Sequence, residues 1–210
     1  MIRVLIADDH SILRRGLAQI ISETKDIQVC GEAETGAQAV RLAREQPVDV
    51  ILLDITMPDR NGLDTLKQLK KEKPKLAVLM LSMHTEEAYA LRAIKAGASG
   101  YLSKASAPPL LVTAIRQVAS GRRYISPAVA EELAGTIADG SDRAPHETLS
   151  DREYETMRLI ASGKTLSEIA REMSLSAKTV SVYRARLLQK MKLKNNSELT
   201  HYALKNQLVD

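Results

Sequence analysis

Three carboxylates, one ammonium and one hydroxyl raise the first chemical question: Asp8 beside Asp9, then Asp54, Ser82 and Lys104. Brought together, the carboxylates would repel one another strongly, and a hard divalent cation such as Mg²⁺ is the natural counter-ion for so oxygen-rich a site. The Lys104 ammonium and the Ser82 hydroxyl would then complete a cradle for a doubly negative phosphoryl group. Taken singly each has a plainer role, since an Asp or Ser at a strand end caps a helix or forms a turn and a lone Lys is a surface charge. A second question is electrostatic. Between Met173 and Ser197 lie Lys178, Arg184, Arg186, Lys190, Lys192 and Lys194 with no acidic residue. Such a run is the footprint of a phosphate-backbone site or, more plainly, a solvated helix face.

The elements that must position the first set lie between residues 1 and 120, where five short apolar runs alternate with five amphipathic segments. Strand candidates fall at 3–7, 27–33, 48–53, 76–81 and 100–102. Helix candidates fall near 11–23, 35–45, 62–72, 85–96 and 108–120, with Pro47, Pro58, Pro74 and Gly97 as punctuation. Near-continuous Val/Ile/Leu content, clearest in the third and fourth runs, belongs to strands buried on both faces. Five βα repeats predict a parallel sheet covered by helices on both sides. The carboxyl ends of such a sheet form its ligand crevice. Asp8 and Asp9 follow the first strand candidate, Asp54 the third, Ser82 the fourth and Lys104 the fifth, so these scattered residues should converge. Their joint placement carries the reading, not any one of them.

Residues 121–149 change character, with Pro127, Gly135, Gly140 and Pro145 around a short helical pattern at 128–137 and an aperiodic stretch at 138–143 that reads as flexible linker. From Ser150 onward helix starts follow one another. Ser150 with Glu153 and Thr165 with Glu168 are capping boxes, Ser176 and Ser197 are further N-caps, and Gly163 ends the first helix. Four helices are predicted, at 151–162, 166–173, 177–191 and 198–207, and the tight Ser174-Leu175-Ser176 spacing is that of a helix-turn-helix. On the third helix Val180, Tyr183, Leu187 and Met191 share the core face. Lys178, Ser181, Val182, Ala185 and Gln189 face outward, a mostly small surface able to approach base edges, with Thr179, Arg184, Arg186 and Lys190 at its flanks within reach of phosphates.

Asp8-Asp9, the run Asp54-Ile55-Thr56-Met57-Pro58, Ser82, and the run from Ala96-Gly97-Ala98 through Tyr101 to Lys104 together resemble the receiver domain of two-component response regulators. Leu149 to Glu153, Gly163 to Ala170 and Ser176 to Tyr183 resemble the LuxR-type helix-turn-helix, and the two in this order are similar to the NarL/FixJ subfamily. The resemblance implies an α/β, flavodoxin-like (βα)5 receiver with parallel sheet order 2-1-3-4-5 and a separate all-α, four-helix helix-turn-helix domain. The expected division is a receiver at 1–120, a linker with a short helix at 121–146, and a DNA-binding domain at 147–210. It further implies that a sensor histidine kinase phosphorylates Asp54, with Mg²⁺ held directly by Asp9 and Asp54, directly or through water by Asp8, and by the backbone carbonyl of Thr56. Lys104 would contact the phosphoryl group, while Ser82 and Tyr101 would move with it as the switch. The family's dimer contact falls on Leu199, Tyr202 and Ala203, whose alternative role is to cover the domain's own core. Receiver helices near 11–23 and 108–120 offer a second association surface. The chain departs from the family pattern at Ala105, where many receivers carry a cis Pro, which leaves the Lys104–Ala105 isomer open, and at Tyr183, where the family often has His.

Composition narrows the field further. The 210 residues include 30 Lys+Arg against 26 Asp+Glu, are 44% hydrophobic and 27% charged, and contain no Phe or Trp. A globular chain with an aliphatic core is expected, and with only six Tyr aromatic-lined ligand pockets and base-stacking platforms are not expected. The single Cys30 cannot build a disulfide framework or a zinc site and fits a reducing cytoplasm. No signal-peptide region precedes Asp8 and no apolar run approaches ~20 residues, so no membrane association is expected. His10, His84, His146 and His201 show no metal-ligand spacing and are assigned no role. The resulting expectation is not an enzyme but a phosphorylation-controlled transcription regulator that binds double-stranded DNA as a homodimer formed on phosphorylation. One alternative is a regulator of the same fold that works without phosphorylation. Another is an aspartyl-nucleophile, Mg²⁺-dependent phosphatase, which usually carries a second Asp where this chain has Thr56. Nucleotide-dependent enzymes lack support because no Gly-rich loop follows the first strand. A ligand-sensing quorum-type regulator is disfavoured by the polar crevice. Small side chains at Ser181, Val182 and Ala185 favour contact with thymine methyls and hence an A·T-containing half-site.

Overall fold

The computed structural model describes residues 1–82, 87–105, 107–127, 129–131, 144–206 and 208–209, and the chain divides into two compact units, Met1–Ala138 and Asp139–Asp210. In the first unit the expected alternation is realised as β1 (Ile2–Ala7), α1 (Ser11–Ser22), β2 (Ile27–Ala33), α2 (Gly36–Glu45), β3 (Val50–Asp54), α3 (Gly62–Glu72), β4 (Ala77–Ser82), α4 (Glu87–Lys95), β5 (Gly100–Ser103) and α5 (Ala107–Ala119). Every strand pair is parallel and the order is β2-β1-β3-β4-β5. The apolar runs explain the positions. All residues of β3 and β4 are buried, whereas the edge strands β2 and β5 mix buried with partly exposed positions. Between sheet and helices Val4, Ile6, Leu52, Leu79 and Leu81 pack with Leu17 and Ile21 of α1 and Leu111 and Ile115 of α5, a cluster whose buried members are aliphatic, with Tyr124 packed against it.

The segment from 121 onward, read as linker, begins as part of this unit. Tyr124 forms a parallel bridge with Gly100, accepting from Tyr101 N at 3.0 Å and donating to Ser99 O at 3.0 Å, so it extends the β5 edge. Most of the helical pattern at 128–137 and all of the stretch at 138–143 fall outside the described residues.

The second unit opens with a 3₁₀ turn at Pro145–Thr148, followed by α6 (Asp151–Ala161), α7 (Leu166–Glu172), α8 (Ala177–Met191) and α9 (Asn196–Lys205). Both capping boxes are formed, Ser176 accepts from Thr179 N, and Gly163 turns the chain at the end of α6 with φ +83°. One cap differs from expectation: Asn195, not Ser197, caps α9. The Asn195 side chain accepts from Glu198 N at 2.9 Å while Glu198 Oε2 accepts from Lys194 N at 2.8 Å, which places Ser197 inside the first turn. Val180, Leu187 and Met191 are buried and Tyr183 is half-buried, as the helical period of α8 predicts.

Candidate functional site

The carboxyl ends of β1, β3, β4 and β5 bring the expected groups together. Asp8 follows β1 with its backbone N–H on Ala33 O at 3.0 Å, Asp54 is the last residue of β3, and Ser82 the last of β4. Lys104 follows β5, where its N–H donates to Ser82 O at 2.7 Å. From there its ammonium reaches both carboxylates: Nζ lies 2.7 Å from Asp8 Oδ2 and 2.8 Å from Asp54 Oδ2. Asp8, Asp54, Ser82 and Lys104 are all buried, at 0%, 1%, 1% and 6% exposure. Burial pushes the Asp54 carboxyl up to about 6, with the Lys104 charge pulling it down and Asp8 pushing it further up. Asp9 is exposed, and Tyr101 is half-buried in β5. The Lys104–Ala105 bond is trans, as are all peptide bonds among the described residues.

The loop after Asp54 is folded back onto it. Gly62 permits this, because a Cβ there would lie 2.0 Å from the Asp54 carbonyl oxygen, and its N–H donates to Ile55 O at 2.7 Å. Asp59 ties the same loop to α2, accepting from Gly36 N at 2.8 Å and Ala37 N at 2.9 Å. Thr56 is thereby set beside the site, its backbone N–H donating to the Asp54 carboxylate and its side chain exposed.

Asp8, Asp9, His10 and Asp54 each offer one ligand atom, all within 4.8 Å of one another. The donor set fits a metal: Asp8 Oδ2 and Asp54 Oδ2 are buried without a well-aligned hydrogen bond, and the one Lys104 ammonium is shared by both of those carboxylates. His10 corrects the expectation that no histidine has a place here. Its Nδ1 lies 2.8 Å from Asp9 Oδ1 and 3.1 Å from Asp8 Oδ1, because the helix start turns residue 10 back over the two aspartates. The sequence carries this only as the adjacency of His10 to Asp8-Asp9, not as a spacing between histidines. His146 also has a partner, with Nδ1 2.9 Å from the Tyr202 hydroxyl. His84 lies outside the described residues.

On α8, Lys178, Ser181, Val182, Ala185, Arg186 and Lys190 are exposed, and Thr179 and Arg184 half-buried. Three of these eight are engaged within the unit. Thr179 Oγ1 lies 2.8 Å from Ser176 Oγ, Arg184 Nε donates to Asn196 Oδ1 at 2.6 Å, and Lys190 Nζ donates to the buried Glu153 carboxylate at 2.6 Å. On α9 Leu199 and Ala203 are fully buried, packed chiefly against α6, while Tyr202 keeps some surface and Leu204 is 51% exposed.

A five-stranded parallel sheet with an acidic crevice and a buried lysine at its carboxyl ends, followed by a helix-turn-helix unit, defines a receiver joined to a DNA-binding module. Residues 4–116 match the family model "Response regulator receiver domain" and residues 147–203 match "Bacterial regulatory proteins, luxR family". The chain belongs to the two-component response regulators of the NarL/FixJ type. It is 39% identical over 211 residues to the response regulator UvrY of Escherichia coli (strain K12), covering 100% of this chain and 97% of UvrY. With the response regulator GacA of Pseudomonas aeruginosa it shares 35% identity over 211 residues, covering 100% of this chain and 99% of GacA. Among solved structures, RcsB from Salmonella enterica serovar Typhimurium, bound to promoter rprA in the presence of phosphomimetic BeF3-, is similar with TM-score 0.65 and 26% identity, covering 96% of this chain and 98% of that one. A LuxR-family response regulator from Aurantimonas sp. SI85-9A1 has TM-score 0.59 and 36% identity, covering 65% of this chain and 98% of its own. No helix among the described residues is long and apolar enough to cross a membrane.

Proposed function

We propose that Asp54 accepts a phosphoryl group from the phosphohistidine of a sensor histidine kinase and that this controls DNA binding by the second unit. The observation that carries the reading is Lys104 Nζ at 2.7 and 2.8 Å from the Asp8 and Asp54 carboxylates, in a crevice that also holds Asp9 and Ser82. A Mg²⁺ held by Asp8, Asp9, Asp54 and the Thr56 carbonyl would supply charge neutralisation and orientation of the phosphoryl oxygens. The chain's own groups do the rest. An Asp54 oxygen forms the new O–P bond as the donor's P–N bond breaks and its electron pair returns to the ring nitrogen. Lys104 offsets the charge on the phosphoryl oxygens, and the Ser82 hydroxyl and Tyr101 respond to the new group as the switch.

The second unit would read double-stranded DNA in the major groove through Ser181, Val182 and Ala185, with Lys178, Arg186, Thr179 and Arg184 on phosphates. A second copy would meet α9 beside Tyr202 and the exposed Leu204, making a homodimer on phosphorylation. The buried Leu199 and Ala203 would support that face from beneath. The reading places the protein in the cytoplasm and gives it no multiple-turnover phosphatase activity, because Thr56 stands where a phosphatase would need its second acid.

The test combines intact mass with duplex binding, at stated salt, with and without acetyl phosphate and Mg²⁺. Addition of one phosphoryl group with a gain in DNA affinity, both absent in Asp54→Asn, is the expected result. DNA binding that ignores both the donor and the substitution would overturn control through Asp54.

A further inference from the structure

The turn that carries Asp8 and Asp9 is held by a buried arginine. Arg14 of α1 is 7% exposed, and all three of its side-chain nitrogens donate: Nη1 to the Asp8 carbonyl at 2.7 Å, Nε to Glu32 Oε2 at 2.9 Å and Nη2 to Glu34 Oε1 at 2.7 Å. The peptide plane before Asp8 is fixed by its N–H on Ala33 O. Arg14 fixes the plane after it, so the two planes together set φ and ψ of Asp8, the direction in which its carboxylate leaves the backbone, and the position of the Asp9 N–H and Cα. His10 N then takes Asp8 Oδ1 at 2.8 Å, and Oδ2 is left facing Lys104.

We infer that Arg14 is a positioning residue for divalent-cation binding at Asp8, Asp9 and Asp54, acting through the Asp8 carbonyl. The inference rests on the metal reading given under the proposed function. A planar guanidinium suits the task because its fixed fork serves three acceptors from two elements at once, which a lysine ammonium on a flexible stem does not. Glu32 and Glu34 balance the buried charge and hold the fork in orientation, although their own side chains are 45% and 65% exposed. The neighbouring Arg15 is exposed and takes no part.

The competing role is a staple of α1 onto β2 that serves folding alone, and metal affinity separates the two. Full-length protein would be titrated with Mn²⁺, following the signal of the free ion by electron paramagnetic resonance, and the unfolding midpoint recorded beside it without metal. Arg14→Gln is expected to weaken Mn²⁺ binding tenfold or more, as loss of a partner that orients a metal ligand typically does. Arg14→Lys should recover part of the loss, because one donor can still reach the Asp8 carbonyl. The paired change Glu32→Gln with Glu34→Gln should weaken binding less than Arg14→Gln does. Arg116→Gln, which breaks the distant pair with Asp26, should leave it unchanged. A folded Arg14→Gln protein that binds Mn²⁺ within twofold of the unaltered chain would overturn the inference. Should Arg14→Gln not fold, unchanged affinity in the paired Glu variant would overturn it instead. Failure of the unaltered chain to bind Mn²⁺ overturns the metal reading and this inference together, whereas binding that every Arg14 variant retains overturns this inference alone.

Discussion

In the first unit the working charges are buried and come from far apart in the chain: Asp8, Asp54 and Lys104, at 0%, 1% and 6% exposure, lie at the carboxyl ends of three different strands. In the second unit the candidate contacts lie exposed along one helix, with Lys178, Ser181, Val182, Ala185 and Arg186 all on the surface of α8. The buried set couples charge to folding, since no member can change its ionisation without altering the interior. The exposed row is coupled to salt and to a partner, and its members can be removed one at a time without the fold responding. Substitutions in the first unit should therefore move stability and function together, and those in the second should move binding alone.

The largest expected effect tests the first half of that contrast. Lys104→Met leaves the buried carboxylates of Asp8 and Asp54 without their cation, and breaking a buried pair from one side costs roughly 3–5 kcal/mol. Urea unfolding at pH 7.5 in chelator should show that loss. It should shrink as the pH falls toward 6, because without the Lys104 charge Asp54 takes up its proton at a higher pH than in the unaltered chain. Unchanged stability at neutral pH would mean that the crevice is hydrated, and the contrast would fail there.

The next effect has the opposite sign. Burial pushes the Asp54 carboxyl up to about 6 in the folded chain, above the value of about 4 usual for an exposed aspartate. The folded state therefore disfavours its ionised form, and the metal-free protein should lose stability as pH rises from about 4 through 6. A raised carboxyl is most favourable to folding below its unfolded value, so the loss is complete above the folded one. Ionising Asp54 in the folded chain costs about 3 kcal/mol. Asp54→Asn should remove this pH dependence and be the more stable protein at pH 8 in chelator, read by thermal or urea unfolding. Mg²⁺ should stabilise the unaltered chain more than the variant. Parallel stability curves for the two proteins from pH 4 to 8 would contradict the account.

Much of this arrangement is legible in the sequence because strand ends coincide with the ends of apolar runs. Val50 to Leu53 is continuous and buried, so Asp54 has nowhere to be but the rim, and the run from Ala77 to Leu81 places Ser82 in the same way. Arg14 is less legible, since Arg14-Arg15 is a charged pair on an amphipathic helix. A signal existed in its phase: Arg14, Leu17 and Ile21 fall on one helical face, and those three are the buried residues of α1. What no pattern of spacing reveals is which acceptors meet a buried guanidinium, because Glu32 and Glu34 lie on and just beyond another element. The α9 cap shows a different limit. Asn195, Asn196 and Ser197 are all competent N-caps, and the choice was made by Glu198, whose backbone N–H and carboxylate suit a cap at Asn195.

Lys190 lies on the border between the two kinds of charge. By helical phase it belongs to the phosphate-facing flank of α8, yet its ammonium is held 2.6 Å from Glu153, whose side chain is 4% exposed. Burial alone would raise the Glu153 carboxyl, but Lys190 and the Ser150 donors hold it below the usual carboxylate range. A lowered folded pKa favours folding above the unfolded value, so this stabilisation is present at neutral pH and is lost as pH falls through the lowered pKa. Lys190→Gln should therefore cost about 1 kcal/mol at pH 7, the scale of a modest ion pair, and almost nothing in strong acid. On DNA the order should reverse. Arg186→Ala should reduce the slope of log affinity against log salt by about one while leaving the unfolding midpoint in place, and Lys190→Gln should leave that slope nearly unchanged. A Lys190→Gln protein with full stability and a slope reduced by about one would move Lys190 to the exposed set. In that case Glu153 would be held by its capping-box bonds to Ser150 alone, and the exposed row of α8 would extend four residues further, from Arg186 to Lys190.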